Sequence, residues 1–208
     1  MFRRVNDEIA EIYNKRFLKL GPTPEASMWF SKKRQFARFD VIFNQIKLLS
    51  KMDCISISDV GCGYGAFLEY LLGKKIGEEF FYYGYDICPE VIKFCEKKYF
   101  GRASFYTKPV PINTTDFVIM SGTFNFFPTQ DYNAWKVYFF NSLKLLWPEA
   151  KCAMIFNLQI SNQAAITNGG IVYAVLDEVE QFCNTNFGNI RVINNPIIPK
   201  DITFVLSK

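Results

Sequence analysis

Ile57-Ser58-Asp59-Val60-Gly61-Cys62-Gly63-Tyr64-Gly65 decides how the rest of this chain is read. A short apolar run, residues 55–60, ends at three glycines spaced by two, and a segment with helical periodicity follows from about Tyr64 to Leu72, where Gly73 can end it. That order describes a buried strand turning sharply into a helix. Glycines at such a turn let the backbone approach a ligand closely, and the first turn of the helix offers N–H groups with no partner inside the helix.

The same alternation continues on the C-terminal side. Residues 80–85 read as a second strand, and Pro89 suits the first turn of a helix running to about Phe100, with Lys97 and Lys98 at its negative end. Residues 103–106 and 116–121 are two further strands; Tyr132, Trp135, Phe139, Leu143 and Leu146 then recur at helical spacing until Pro148, and residues 152–158 form a fifth strand. A helix over 177–185 precedes two last strands, 190–193 and 202–206. The segment between those two is too short for a crossover helix, so they are expected to lie antiparallel. The sum is an α/β fold, a doubly wound and mostly parallel sheet of about seven strands that closes with an antiparallel hairpin.

Ahead of the glycine turn the period is helical only. Helices are expected over about 7–20 and 31–49, separated by Gly21-Pro22-Thr23-Pro24, so that residues 1–50 form an N-terminal helical cap on an α/β core of residues 51–208, all within a single domain. Residues 1–38 hold nine Lys or Arg against four acids, and the remainder is close to neutral. A basic cap is a solvated helix face or a lid that attracts an anionic group; nucleic acid is disfavoured because the basic residues form no long run. With 50% apolar and 21% charged residues the chain is no disordered segment. No apolar run reaches the roughly 20 residues of a membrane span, and Met1-Phe2-Arg3-Arg4 leads into polar residues, so a cytoplasmic location is expected. Six cysteines without a Cys-x-x-Cys pair, and no histidine at all, speak against a metal site and remove every mechanism built on a histidine base.

Asp86 ends the second strand 25 residues after Gly61, where a carboxylate can accept the hydroxyls of a ribose. Gly61, Gly63 and Ala66 also satisfy the looser fingerprint of dinucleotide enzymes. Asp59 opposes that alternative, because its charge would repel a pyrophosphate and welcome an ammonium group. Asp59-Val60-Gly61-Cys62-Gly63-Tyr64-Gly65 resembles the first motif of the class I methyltransferases that use S-adenosylmethionine, and Tyr83-Gly84-Tyr85-Asp86-Ile87 resembles their second. The stretch from Tyr13 through Gly21-Pro22 and Trp29 to Gln35-Phe36-Ala37-Arg38-Phe39, then Met120-Ser121-Gly122-Thr123-Phe124-Asn125, Ile155-Phe156-Asn157 and Asp201-Ile202-Thr203 is similar to a poorly characterised bacterial group of small members of that superfamily.

The resemblance implies a Rossmann-like domain with S-adenosylmethionine as cofactor. Gly61, Cys62, Gly63 and Gly65, with Tyr64 in the same turn, would line its methionine part. Asp59 would face the ammonium, and Asp86 with Ile87 would hold ribose and adenine. Ser121 and Gly122 would pass the cofactor on the way to the acceptor, and Arg38, with Gln35, would meet its carboxylate from the cap. Many relatives carry an acid after the third strand, where this chain has Thr107-Lys108-Pro109. That departure keeps a non-catalytic binding protein open beside the expected methyl transfer to a small-molecule acceptor, with a nicotinamide oxidoreductase and an RNA methyltransferase as lesser alternatives. For acceptor chemistry the candidates are Asn125, Asn157 and Asp131, each with a bland counterpart: a satisfied amide for the first two, a helix cap for the third.

Overall fold

The structure is a computed structural model and describes residues 2–29, 31–50, 54–74, 79–188 and 190–208. A seven-stranded sheet runs in the order β3-β2-β1-β4-β5-β9-β8, with β1 Cys54–Val60, β2 Glu79–Asp86, β3 Ser104–Thr107, β4 Thr115–Met120, β5 Ala150–Gln159, β8 Ile190–Ile193 and β9 Asp201–Ser207. The first five are parallel, and β9 lies antiparallel between β5 and β8, as the chain pattern predicts. In β4 all six side chains are buried, as expected of a central parallel strand covered on both faces.

Helices α2 Lys32–Leu49, α3 Ala66–Gly73 and α4 Pro89–Lys98 cover one face of the sheet through Phe39, Ile42, Phe67, Leu71 and Ile92. Helices α5 Tyr132–Leu146 and α6 Leu176–Phe187 cover the other through Trp135, Phe139, Leu143 and Val179. Local chemistry sets the helix starts. Ser31 Oγ accepts from the Arg34 N–H, and Asp131 Oδ1 accepts from the Ala134 N–H at 2.9 Å, each satisfying a donor that has no intrahelical acceptor. The helix after the glycine turn begins at Ala66, two residues later than its apolar pattern suggests, because Gly63 and Gly65 both hold positive φ.

Two features depart from the sequence pattern. Helix α1 spans Phe2–Leu20, starting five residues early because Val5 packs on the aromatic cluster beside Tyr138. A small hairpin, β6 Ala165–Ile166 with β7 Val172–Tyr173, follows β5; Thr167 Oγ1 accepts from the Ile171 N–H across its turn. Its signal was present in Asn168-Gly169, a common hairpin pair. In agreement with the sequence pattern, β3 connects to β4 through residues 108–114 with no helix, and this strap crosses the α5 side of the sheet, tied where the Ile112 N–H donates to Tyr85 Oη.

Candidate active site

Strand order reverses between β1 and β4, and ligands in open α/β sheets bind at the C-terminal ends of the strands beside such a reversal. A cavity of about 260 Å³ lies there. Its floor is the turn after β1. The Gly61 and Cys62 N–H groups both donate to the Tyr85 carbonyl, at 2.7 and 3.0 Å, which ties this turn to the end of β2. Gly61 has φ +74°, and a Cβ there would lie 2.6 Å from Thr123, so the turn admits no side chain. Asp86 completes the clamp: Oδ2 accepts from the Gly63 N–H and Oδ1 from the Cys88 N–H, both at 2.9 Å. Burial raises the Asp86 pKa, against the pull of these N–H groups, and its two oxygens retain acceptor capacity toward the cavity they line.

Asp59 is 2% exposed. Its Oδ2 accepts from the Tyr82 hydroxyl, while Oδ1 has no partner among the described residues; the residue as a whole lines the cavity. Burial pushes its carboxyl up to about 7; the Tyr82 hydrogen bond works against that, and the nearby Asp86 charge adds to it. Ser121 Oγ, at the mouth of β4, is likewise buried and without a partner. Ile87 and Cys62 line the cavity, as do Tyr64 and Gln35, joined by a hydrogen bond from Tyr64 Oη to Gln35 Oε1 at 3.3 Å.

Arg38 stands just behind this wall. It is 1% exposed, its Nε and Nη2 donate to Asp201, and its guanidinium lies 4.0 Å from the centre of the Trp29 ring, which does line the cavity. Nη1 has no partner and sits 2.5 Å from where a Gly122 Cβ would be. Gly122, which lines the cavity, thus lies directly against Nη1.

The three residues considered for acceptor chemistry are held elsewhere. Asn125 Oδ1 accepts from the Gln159 N–H at 3.1 Å, and its carbonyl accepts from the Val172 N–H, so it fastens the β6–β7 hairpin to β5. Asn157 is spent on Gly122 and Asp201, and Asp131 is the exposed cap of α5. None of the three lines the cavity. Sequence reasoning expected a helical cap but did not say which residues of α1 form the roof. Asn6, Ile9, Tyr13 and Phe17 of α1 face the cavity at helical spacing, and Tyr138 Oη donates to Asn6 Oδ1 at 2.7 Å. That spacing is the only signal that could have revealed it.

A family model described as a methyltransferase domain matches residues 58–144, from the middle of β1 to the last turns of α5. The matched stretch, 87 of the 208 residues, is similar to that domain. Among curated proteins, "Putative methyltransferase Rv1506c" of Mycobacterium tuberculosis is 33% identical over 82 residues, 38% of this chain and 48% of that protein, so the match spans about half the length of the relative. Magnesium protoporphyrin IX methyltransferase from Synechocystis, solved with SAH (S-adenosylhomocysteine) bound, superposes with a TM-score of 0.67 at 12% identity over 98% of this chain and 99% of the other. The plantazolicin methyltransferase BpumL, solved with a pentazolic substrate analogue and SAH, gives 0.65 at 14% identity over the full length of both chains. At such identities the likeness establishes the fold alone; the glycine turn, Asp59, Asp86 and the 121–122 turn all fall inside the stretch that the family model matches.

Proposed function

We propose that the protein transfers a methyl group from S-adenosylmethionine to a small-molecule acceptor. The observation that carries this reading is a pair of buried atoms of opposite character without a partner among the described residues: Oδ1 of Asp59, a residue that lines the cavity, and Nη1 of Arg38, which stands behind the wall beside Gly122. An unpaired buried polar atom costs free energy that a ligand can return. A zwitterionic amino-acid tail offers an ammonium to the first and a carboxylate to the second, and S-adenosylmethionine and its product SAH both carry that tail. Gly61 to Gly65 would lie along the tail, with Tyr64 and Gln35 beside it. Asp86 and Ile87 would meet the ribose and the base, and Lys108 to Val110 would close the far side. Asp59 opposes a pyrophosphate, which disfavours a nicotinamide cofactor.

When bound, the cofactor supplies an activated methyl electrophile, so the protein's work is to align an acceptor, about 3 to 3.5 Å from the reacting carbon, and to exclude water. Helix α1 roofs the cavity with Ile9, Tyr13 and Phe17, which supply that exclusion. Among the described residues Tyr13 donates to the Met28 sulfur, a weak acceptor at 3.7 Å, and burial raises its pKa, so it faces a ligand as a neutral hydroxyl. Of the two solved neighbours, one is a magnesium protoporphyrin IX methyltransferase and the other holds a pentazolic analogue, and the apolar and aromatic lining here suits an acceptor of similar planarity. Cofactor binding without turnover is the second reading, favoured by Lys108 in the place where an acid is common.

Calorimetric titration with S-adenosylmethionine, SAH and NAD in parallel tests the assignment. Binding of the first two alone supports it; binding of NAD alone, or of none by the folded protein, refutes it.

A further inference from the structure

Asp201 opens β9, outside the cavity, and is 1% exposed. It accepts from Arg38 Nε at 3.2 Å and from Arg38 Nη2, from Asn157 Nδ2 at 2.8 Å and from Gln159 Nε2 at 2.8 Å. Two walls of the cavity depend on these bonds. One runs through Arg38: with two nitrogens held by the carboxylate, the plane of the guanidinium is fixed, and Trp29 stacks on it. The other runs through Asn157, whose Oδ1 accepts from the Gly122 N–H at 2.8 Å. Gly122 has φ +82° and no side chain, and only that leaves Nη1 room at the cavity wall. Without Asp201, the Arg38 fork could turn and the Asn157 amide could rotate, since among the described residues Asp201 is what holds that amide's nitrogen.

We propose that Asp201 is a positioning residue for this site: it aims Arg38 Nη1 and, through Asn157, the Gly122 amide, so that Trp29, Nη1 and the 121–122 turn together form the subsite for the carboxylate-bearing tail of the cofactor. The proposal rests on the cofactor reading above. Its chemistry is specific. Asp201 cancels the charge of Arg38 and leaves one directed donor, so the subsite favours a tail that carries its own compensating ammonium beside Asp59 over a bare anion.

Three proteins test it: the wild type, Asp201→Asn, and the double variant Arg38→Met with Asp201→Leu. The double variant replaces the buried pair with apolar groups of similar size, an exchange that commonly preserves stability, so it remains informative where the single change impairs folding. Affinities are measured for SAH and for 5′-methylthioadenosine, which lacks the amino-acid tail. The expected result is at least a tenfold loss for SAH in both variants and less than a twofold change for methylthioadenosine. Equal losses for the two ligands, or an undiminished SAH affinity in the folded double variant, overturn the proposal. Hydrogen exchange of the Gly122 amide, followed by NMR without ligand, separates the two claims. It is expected to accelerate at least tenfold in the variants while β1 amides stay protected. If the wild type binds no SAH while Gly122 responds in this way, the cofactor reading falls and the positioning of the turn stands. If SAH binds the wild type and Gly122 exchange is unmoved, the positioning claim falls and the cofactor reading stands.

Discussion

Asp59 makes the cofactor assignment measurable through pH. Its carboxyl, pushed up to about 7 by burial, is mostly protonated in the empty site at mildly acidic pH, whereas an ammonium beside Oδ1 requires the carboxylate. With that value, about 3% of the free protein is ionised at pH 5.5 and about 50% at pH 7.0. If only the ionised form binds the ammonium well, affinity for SAH rises about 16-fold across that window, about 1.6 kcal/mol, while staying below the pH of about 7.7 to 8.0 where an α-amino group loses its own proton. Titration calorimetry in two buffers of different ionisation enthalpy should show proton release approaching one per SAH bound at pH 5.5. 5′-Methylthioadenosine, without the ammonium, should bind with a flat profile. Asp59→Asn should flatten the SAH profile as well, which separates Asp59 from its neighbour Asp86. A wild-type protein that binds SAH with the same affinity at both pH values and releases no proton would refute the contact.

The same carboxylate has a stability cost whose sign is opposite to that of an ion-paired acid. Because its folded value lies above 3.8, stability falls as pH rises from about 4 to about 7, by up to about 4 kcal/mol at 1.36 kcal/mol per pH unit, so Asp59→Asn should melt higher than the wild type at pH 8 and show a flatter Tm profile. Asp86→Ala removes acceptors from the Gly63 and Cys88 N–H groups, and SAH affinity should fall more than about tenfold, since bonds to a charged group contribute roughly 1.5 to 3 kcal/mol; an unchanged Kd in a folded variant would exclude the role. Asn125→Ala should cost about 1 to 3 kcal/mol in denaturant unfolding by orphaning the Gln159 N–H. Asp131→Ala should cost about 1 kcal/mol through the α5 cap and leave SAH affinity unchanged, whereas a changed Kd would show that Asp131 reaches the ligand after all.

Much of this was legible in the sequence because it is local. The glycine turn announces its strand and helix within nine residues, and Asp86 marks the end of β2 by its place after an apolar run. Asp131 reads as a cap from the helical period behind it. The ion pair of Arg38 and Asp201 spans 163 residues, and no periodicity connects them. A buried guanidinium on α2 and an exposed one look alike in sequence; only the fold that brings β9 beside α2 distinguishes them. That the N-terminal helices form a cap was legible, but which residues of α1 line the cavity was hidden for another reason. Its inward face carries Asn6 and Tyr13 among apolar residues, and the exposed Leu18 blurs the stripe. The missing helix between β3 and β4 was visible as a short connection, but its course across the sheet followed only from the strand order.

That connection is a taut tether. From Thr107 to Thr115 the chain has eight residue steps, which reach at most about 28 Å when fully extended. It must travel three strand spacings sideways, about 14 Å, and about six residues' rise back along the strands, about 20 Å, for a diagonal near 24 Å before it arches over side chains. Little slack remains. Shortening the tether by even one residue should therefore pull β3 out of register or detach it, whereas lengthening it meets no such limit: Phe81, 60% exposed on β2, lies where an added helix could settle. Within this architecture, the stretch between residues 107 and 115 is free to grow and barred from shrinking.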